Sequence, residues 1–253
     1  MMKSTSKTGR VFTLFRKKAV PQTASARLPL MGHLFDQFYR TILNLPSFQE
    51  KDSYAIVVVA ANSGDGSSTI ALNMTYAYAY DSMKDAILID GNMRRPVLHS
   101  HFGVPREKGL MELVEGTAAL HEVLVRIQLD EAERRVEGQT KAIIPGFHFI
   151  PAGNSPANPI VLYQSPAFLA LLEHLKDIFS FIIIDAAPLI SYPESSILAG
   201  KTDGAILVLQ HEETSWEVAQ VAKKYLQTTN APILGAILNK QQFFIPKQIY
   251  KYL

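Results

Sequence analysis

YAIVVVAANSGDGSSTIALNMTYAYAY, residues 54–80, is the stretch on which the reading of this chain turns. Ala55 to Ala60 is a short, largely β-branched apolar run, bounded by small polar residues and glycine. That composition suits a parallel strand buried on both faces. A loop follows, Asn62-Ser63-Gly64-Asp65-Gly66-Ser67-Ser68-Thr69. Ile70, Leu72, Met74, Ala77 and Ala79 then sit on what reads as a mostly buried helix. A strand, a glycine-rich loop and a helix in this order make an anion cradle. Glycines let the backbone amides turn inward, and the helix N-terminus adds partial positive charge.

The common phosphate loop reads G-x-x-x-x-G-K-[ST]. Ala61 to Ser68 here reads A-x-x-x-x-G-S-S. Ser67 takes the lysine position, and Ser68 keeps a hydroxyl where Mg²⁺ would be held. Taken alone, the loop favours a plain strand-to-helix turn of a doubly wound domain, so the rest of the chain decides.

With 253 residues, 47% of them hydrophobic, the chain supports one sizeable core: an α/β domain with extensions. It has no cysteine, which excludes disulfides and thiol chemistry. No apolar run approaches the roughly 18 residues of a membrane span. The net charge of +2 is unevenly placed. Lys3, Lys7, Arg10, Arg16, Lys17, Lys18 and Arg27 precede the first acid, and the remainder has an acidic excess.

Three regions are expected: a mobile basic tail over residues 1–30, a phosphate-loop domain with a leading helix over 31–240, and an aromatic, basic tail over 241–253. Val11, Phe12, Leu14 and Phe15 beside Arg16-Lys17-Lys18 leave two readings of residues 1–20. They form either a solvated tail or a peripheral contact with an anionic membrane. Leu34, Phe38, Ile42 and Leu45 have helical spacing, and Pro46 ends that helix.

Further apolar runs at residues 86–90, 147–150, 181–185, 205–209 and 233–238 read as strands. Helices are expected over residues 110–114, 118–127, 168–178 and 216–229, with Leu169, Leu172 and Leu175 on one face of the third. Residues 97–145 read as a lid-like or peripheral segment, with a charged stretch over 130–141, and Pro156 and Pro159 as loop punctuation. The histidines show no metal-ligand spacing. Alternating strands and helices imply a doubly wound, mostly parallel sheet in three layers, α/β/α. Two strands end in carboxylates, Asp90 and Asp185. In such sheets ligands bind outside the carboxyl ends of the strands, so both should meet the loop there.

These pieces resemble the bacterial tyrosine-autokinase family of capsule and exopolysaccharide synthesis, within the deviant phosphate-loop ATPase group that also holds the partition and division-site ATPases. The middle segment Ile89-Asp90-Gly91-Asn92-Met93-Arg94-Arg95-Pro96 is similar to the family's I-D-x-D-x-R-x-P. The passage from Pro151 to Pro188 and the leading helix Phe38 to Leu45 also match, and the likeness covers about residues 31–253. The resemblance implies ATP or ADP with Mg²⁺ as ligands. It implies Asp90 and Asp185 as catalytic residues, Ser68, Asp90 and Asp185 around the metal, and Gly64, Asp65, Gly66, Ser67, Ser68, Thr69, Arg94, Arg95 and Asn239 around the nucleotide, Asn239 at the adenine.

The departures point to a degenerate member. Ser67 lacks the charge that would neutralise the β- and γ-phosphates, and losing such preorganised charge costs on the order of several kcal/mol in the transition state. Asn92 replaces a carboxylate, Ala186-Ala187 replace part of D-[ST]-P-P, and Pro193-Glu194 replace an Asp-Ala pair. Gln37 and Leu43 replace charged ring-forming positions while Arg40 remains, so no large ring is expected. The expectation is weak nucleotide binding by a regulator at the inner face of the membrane. Its partner would be a membrane polysaccharide co-polymerase or another polysaccharide assembly protein, with no role for nucleic acid. The alternatives are an active autokinase acting on Tyr250 and Tyr252, a slow ATPase, or a partition-type ATPase.

Overall fold

The computed structural model describes residues 22–26, 32–46, 48–82, 85–129 and 146–241. In chain order the elements are β1 (Gln22–Ala26), α1 (Gly32–Leu43), a 3₁₀ turn (Phe48–Glu50), β2 (Tyr54–Ala60), α2 (Ser67–Ser82), β3 (Ala86–Asp90), α3 (Leu98–His101), α4 (Leu110–Glu115), α5 (Leu120–Val123), β4 (Val125–Leu129), β5 (Gly146–Ile150), α6 (Pro159–Gln164), α7 (Pro166–Lys176), β6 (Phe181–Ala186), α8 (Ser195–Ala199), β7 (Gly204–Gln210), α9 (Trp216–Thr228) and β8 (Ile233–Asn239).

Eight strands form one sheet in the order β1-β4-β5-β3-β6-β2-β7-β8. Every pairing is parallel except β4 with β5. The six expected strands are all present, and the sheet is doubly wound. β2 lies between β6 and β7, and every one of its residues is buried. Because side chains alternate across a strand, Ala55, Val57 and Val59 enter one core and Ile56 and Val58 the other. The first core packs under α4 to α9, and the second under α1, α2 and α3. This is the three-layer α/β/α arrangement. Helix α2 is buried on nearly all sides because α1 covers it, with Ile42 in the shared core.

Several local expectations need correction. Residues 125–127, expected to end a helix over 118–127, belong to strand β4 (Val125–Leu129). The helix stops at Val123, after which VRIQL alternates, with Val125 and Ile127 buried. That period of two is the signature of a half-buried strand. Gln22–Ala26, expected within a tail, is an edge strand in register with β4. Its small polar residues carry little strand preference, so the pairing is set by its neighbour. The segment expected to be peripheral places Leu110, Leu113, Leu120 and Val123 in the main core. On α7 the buried face is Phe168, Leu171, Leu172 and Leu175, while Leu169 is exposed. Pro159 opens α6 after an Asn158 cap, since its missing N–H costs nothing at a helix start. Residues 1–20, 130–141, Tyr250 and Tyr252 lie outside the described residues.

Candidate nucleotide site

The site begins where β2 ends. Ala60 and Ala61 leave the sheet, and the chain turns through Gly64 and Gly66, with φ of +97° and +100°. Only glycine adopts those angles without strain. At Gly66 space is also short, since a Cβ would lie 2.4 Å from Asn239 Nδ2. The loop is braced internally. Asp65 is buried, and its Oδ2 accepts from Asn62 N at 2.9 Å and from Thr214 Oγ1 at 3.2 Å. Asn239 Nδ2 donates to Asp65 O at 2.8 Å, and Lys240 Nζ donates to Gly64 O at 2.7 Å. Helix α2 starts at Ser67, so its first amides face the loop interior region.

Asp90 and Asp185 close the site from the adjacent strands. They are register partners of β3 and β6, and neither has solvent-accessible surface. The short, uninterrupted apolar strands ILI and III carry each carboxylate to the sheet edge at the same level. Asp185 Oδ2 accepts a hydrogen bond from Ser68 Oγ. Its Oδ1 is buried with no hydrogen-bond partner. Asp90 uses both oxygens: Oδ1 accepts from Asn92 N at 3.2 Å and Oδ2 from Leu98 N at 3.3 Å. Burial raises the Asp90 pKa to about 8, and repulsion from Asp185 adds to it against those backbone donors. Burial likewise raises Asp185 to about 7, against the hydroxyls of Ser68 and Ser67 and the Ala186 amide.

The expected site residues separate into groups. Gly64, Asp65, Gly66, Ser67, Ser68, Asp90, Asp185 and Asn239 come together. Thr69 is exposed. Arg94 is turned to Glu194, with Nε donating to Oε1 at 2.9 Å, and lies 5.2 Å from the centre of the Tyr192 ring. Arg95 is exposed, and its backbone N–H is capped by Asn92 Oδ1 at 3.0 Å. Asn92 thus shapes the turn that carries both arginines. Gly91 packs against β6, where a Cβ would meet Ile184 and the Asp185 carbonyl. Tyr163 Oη holds that turn through Gly91 O at 2.9 Å.

Sequence reading did not identify Thr214, Gln210, Tyr163 or Lys240 as parts of this region. Only Lys240, directly after the strand-end asparagine, carried a usable signal. Among the described residues no three His, Cys, Asp or Glu side chains converge as a metal site. Mg²⁺ is commonly held by one or two carboxylates together with phosphate oxygens and water. The unpartnered Asp185 Oδ1 beside Ser68 fits that donor set. Asp90, already saturated by backbone amides, fits it less well.

No family model matches the chain. It is 27% identical over 206 residues to a tyrosine-protein kinase CpsD of Streptococcus agalactiae, covering 81% of this chain and 82% of that protein. The chain is similar to bacterial tyrosine-protein kinases. A CpsD of Streptococcus pneumoniae is 29% identical over 214 residues, covering 84% of this chain and 87% of that protein. A tyrosine-protein kinase EpsB assigned in Ralstonia solanacearum is 26% identical over 200 residues, where this chain spans 24% of a longer protein. Among solved structures, the chimerical protein CapA2B2 superposes with a TM-score of 0.70 at 23% identity, over 88% of this chain and 96% of that one. The septum site-determining protein MinD of Pyrococcus horikoshii, complexed with Mg-ADP, superposes with a TM-score of 0.55 at 19% identity, over 79% of this chain and 76% of that one. These superpositions agree with the autokinase relatives on a phosphate-loop ATPase fold.

Proposed function

We propose that this chain is a nucleotide-binding regulator of capsule or exopolysaccharide synthesis, an autokinase relative with little phosphoryl-transfer power. It acts at the cytoplasmic face of the membrane, on a membrane polysaccharide co-polymerase. Ser67 carries this reading. It is buried at the first turn of α2, in the position from which a lysine would reach the β- and γ-phosphates. A hydroxyl there donates a hydrogen bond but brings no charge. Phosphoryl transfer depends almost wholly on positioning and electrostatic stabilisation, so its loss falls mainly on the transition state.

Binding is less affected. The positive-φ glycines and the start of α2 still offer amides to a phosphate. Asp185 and Ser68 would hold Mg²⁺, which supplies charge neutralisation at the phosphates when bound. Asp90 keeps the turn after β3 in place through Asn92 and Leu98. Diphosphate should therefore suffer less than triphosphate, because the missing charge serves chiefly the outer phosphates.

One observation favours a second reading, the active autokinase. A carboxylate held near neutral pKa, as Asp90 is, suits a general base for a tyrosine hydroxyl. Mass spectrometry of protein purified from its own cells separates the two. The regulator reading expects Tyr250 and Tyr252 unmodified, or modified equally in an Asp90→Ala variant. Phosphotyrosine that disappears with Asp90→Ala establishes the autokinase and ends the regulator reading.

A further inference from the structure

The loop lacks its own cation, yet a cation from another strand is bound to it. Lys240 follows the last residue of β8 and has φ +56°, a left-handed conformation that non-glycine residues adopt infrequently. The chain bends there, and the side chain comes back over the loop. Its Nζ donates to Gly64 O at 2.7 Å and to Gln210 Oε1 at 3.0 Å. Both acceptors are neutral. Among the described residues Lys240 pairs with no carboxylate. The nearby carboxylate, Asp65, is occupied by Asn62 N and Thr214 Oγ1. The ammonium charge is therefore not cancelled by a partner at the loop.

The same contact orients backbone. Gly64 O and Asp65 O both turn toward the end of β8, the first to Lys240 and the second to Asn239. In a planar trans peptide the N–H points opposite to its C=O. The Gly66 N–H consequently points away from β8. Asn239 and Lys240 together fix the Gly64–Asp65 and Asp65–Gly66 peptide planes, one peptide ahead of the start of α2.

We propose that Lys240 is the cation of the phosphate site, carried on the end of β8 instead of in the loop. It stabilises bound nucleoside di- or triphosphate through the loop it grips. This rests on the nucleotide-binding reading above. It acts on affinity through its uncancelled charge as well as by holding the loop, and because it touches the loop backbone and not the reacting atoms it is a positioning residue.

The test is a binding cycle read by calorimetry with Mg-ADP and Mg-ATP. The proteins are wild type, Lys240→Met, Lys240→Arg, Ser67→Lys and the double variant Ser67→Lys/Lys240→Met. Lys240→Met should weaken binding about tenfold or more, and Lys240→Arg should stay within about threefold of wild type, as expected for a charge-assisted contact. Ser67→Lys should recover most of the loss in the Lys240→Met background and add less to wild type. Added salt should weaken wild type more than Lys240→Met. If Lys240→Met binds as wild type does, the proposal is overturned while the nucleotide reading stands. The same holds if Ser67→Lys improves both backgrounds by one factor, since the lysine is then only a latch. A wild type that binds neither nucleotide removes the nucleotide reading itself. Melting curves for each variant separate these outcomes from unfolding.

Discussion

Asp90 and Asp185 face one another as register partners across β3 and β6, both without solvent-accessible surface, and one oxygen of Asp185 has no hydrogen-bond partner. Two carboxylates so placed resist being charged together. Their proton content thus becomes a property of the fold.

Stability should therefore fall as pH rises. Both groups have folded pKa values raised to about 8 and about 7, against an ordinary value of 3.8. Between about pH 4 and those values the folded chain holds protons that the unfolded chain has released. The stabilisation is full below that window and lost through it. Asp185→Asn should flatten the profile and stabilise the chain at pH 8 by an amount on the order of a few kcal/mol. Denaturant melts at pH 5, 6, 7 and 8 measure this. A steeper profile in the variant would contradict it.

Mg²⁺ should act in the opposite direction. It requires the charged carboxylate, so Mg-ADP should stabilise the chain more at pH 8 than at pH 6, with proton release on binding. Calorimetry in buffers of different ionisation heat reads the protons directly. Asp185→Asn should lose the Mg²⁺ dependence while keeping weak nucleotide binding.

Ser67→Lys should tighten Mg-ATP by about 1–3 kcal/mol, and Mg-ADP by less. Hydrolysis or tyrosine transfer should return only in part, because Asn92 supplies no carboxylate. Titration and a phosphate-release assay on one preparation check both halves.

Gly66→Ala should cost about 1–3 kcal/mol at the loop. The new methyl meets the Asn239 amide at 2.4 Å, and φ +100° is unfavourable for alanine. Nucleotide binding should fall sharply with a modest change in melting temperature. Unchanged binding would show that the Asn239 contact is dispensable.

Glu112→Ala provides the contrast. This buried carboxylate accepts from Gly109 N at 2.8 Å, Asn154 Nδ2 at 2.8 Å and Asn154 N at 3.2 Å, joining two loops away from the phosphate site. Its removal leaves those donors unpaired at a cost of about 1–3 kcal/mol. Melting temperature should drop, and affinity for nucleotide should not change at a temperature where the variant is folded.

Gln37 and Arg40 are both exposed on α1. With a neutral residue in place of one partner, light scattering should find no salt-resistant large ring.

Much of this was legible in the chain because the apolar runs are uninterrupted and close on small or acidic residues. Residues 54–60, 86–90 and 181–186 combine composition and punctuation into one reading. Val125–Leu129 was not read because its alternation follows a helical turn directly, and a continuing helix absorbs it. Gln22–Ala26 has almost no strand preference of its own and depends on β4. The carboxylates and loop were visible as motifs. The grip of Lys240 on Gly64 was not, because it joins positions 176 residues apart.

The strand order has a consequence for reach. β1 and β8 are the two edges of the sheet, seven strand intervals apart, or roughly 34 Å at the usual spacing. Gln22 therefore lies at the far rim, while the end of β8 lies beside the loop that Asn239 and Lys240 hold. A probe fixed at Gln22 and another fixed at Gln241 are thus held apart by the width of the sheet, which acts as a rigid spacer between them.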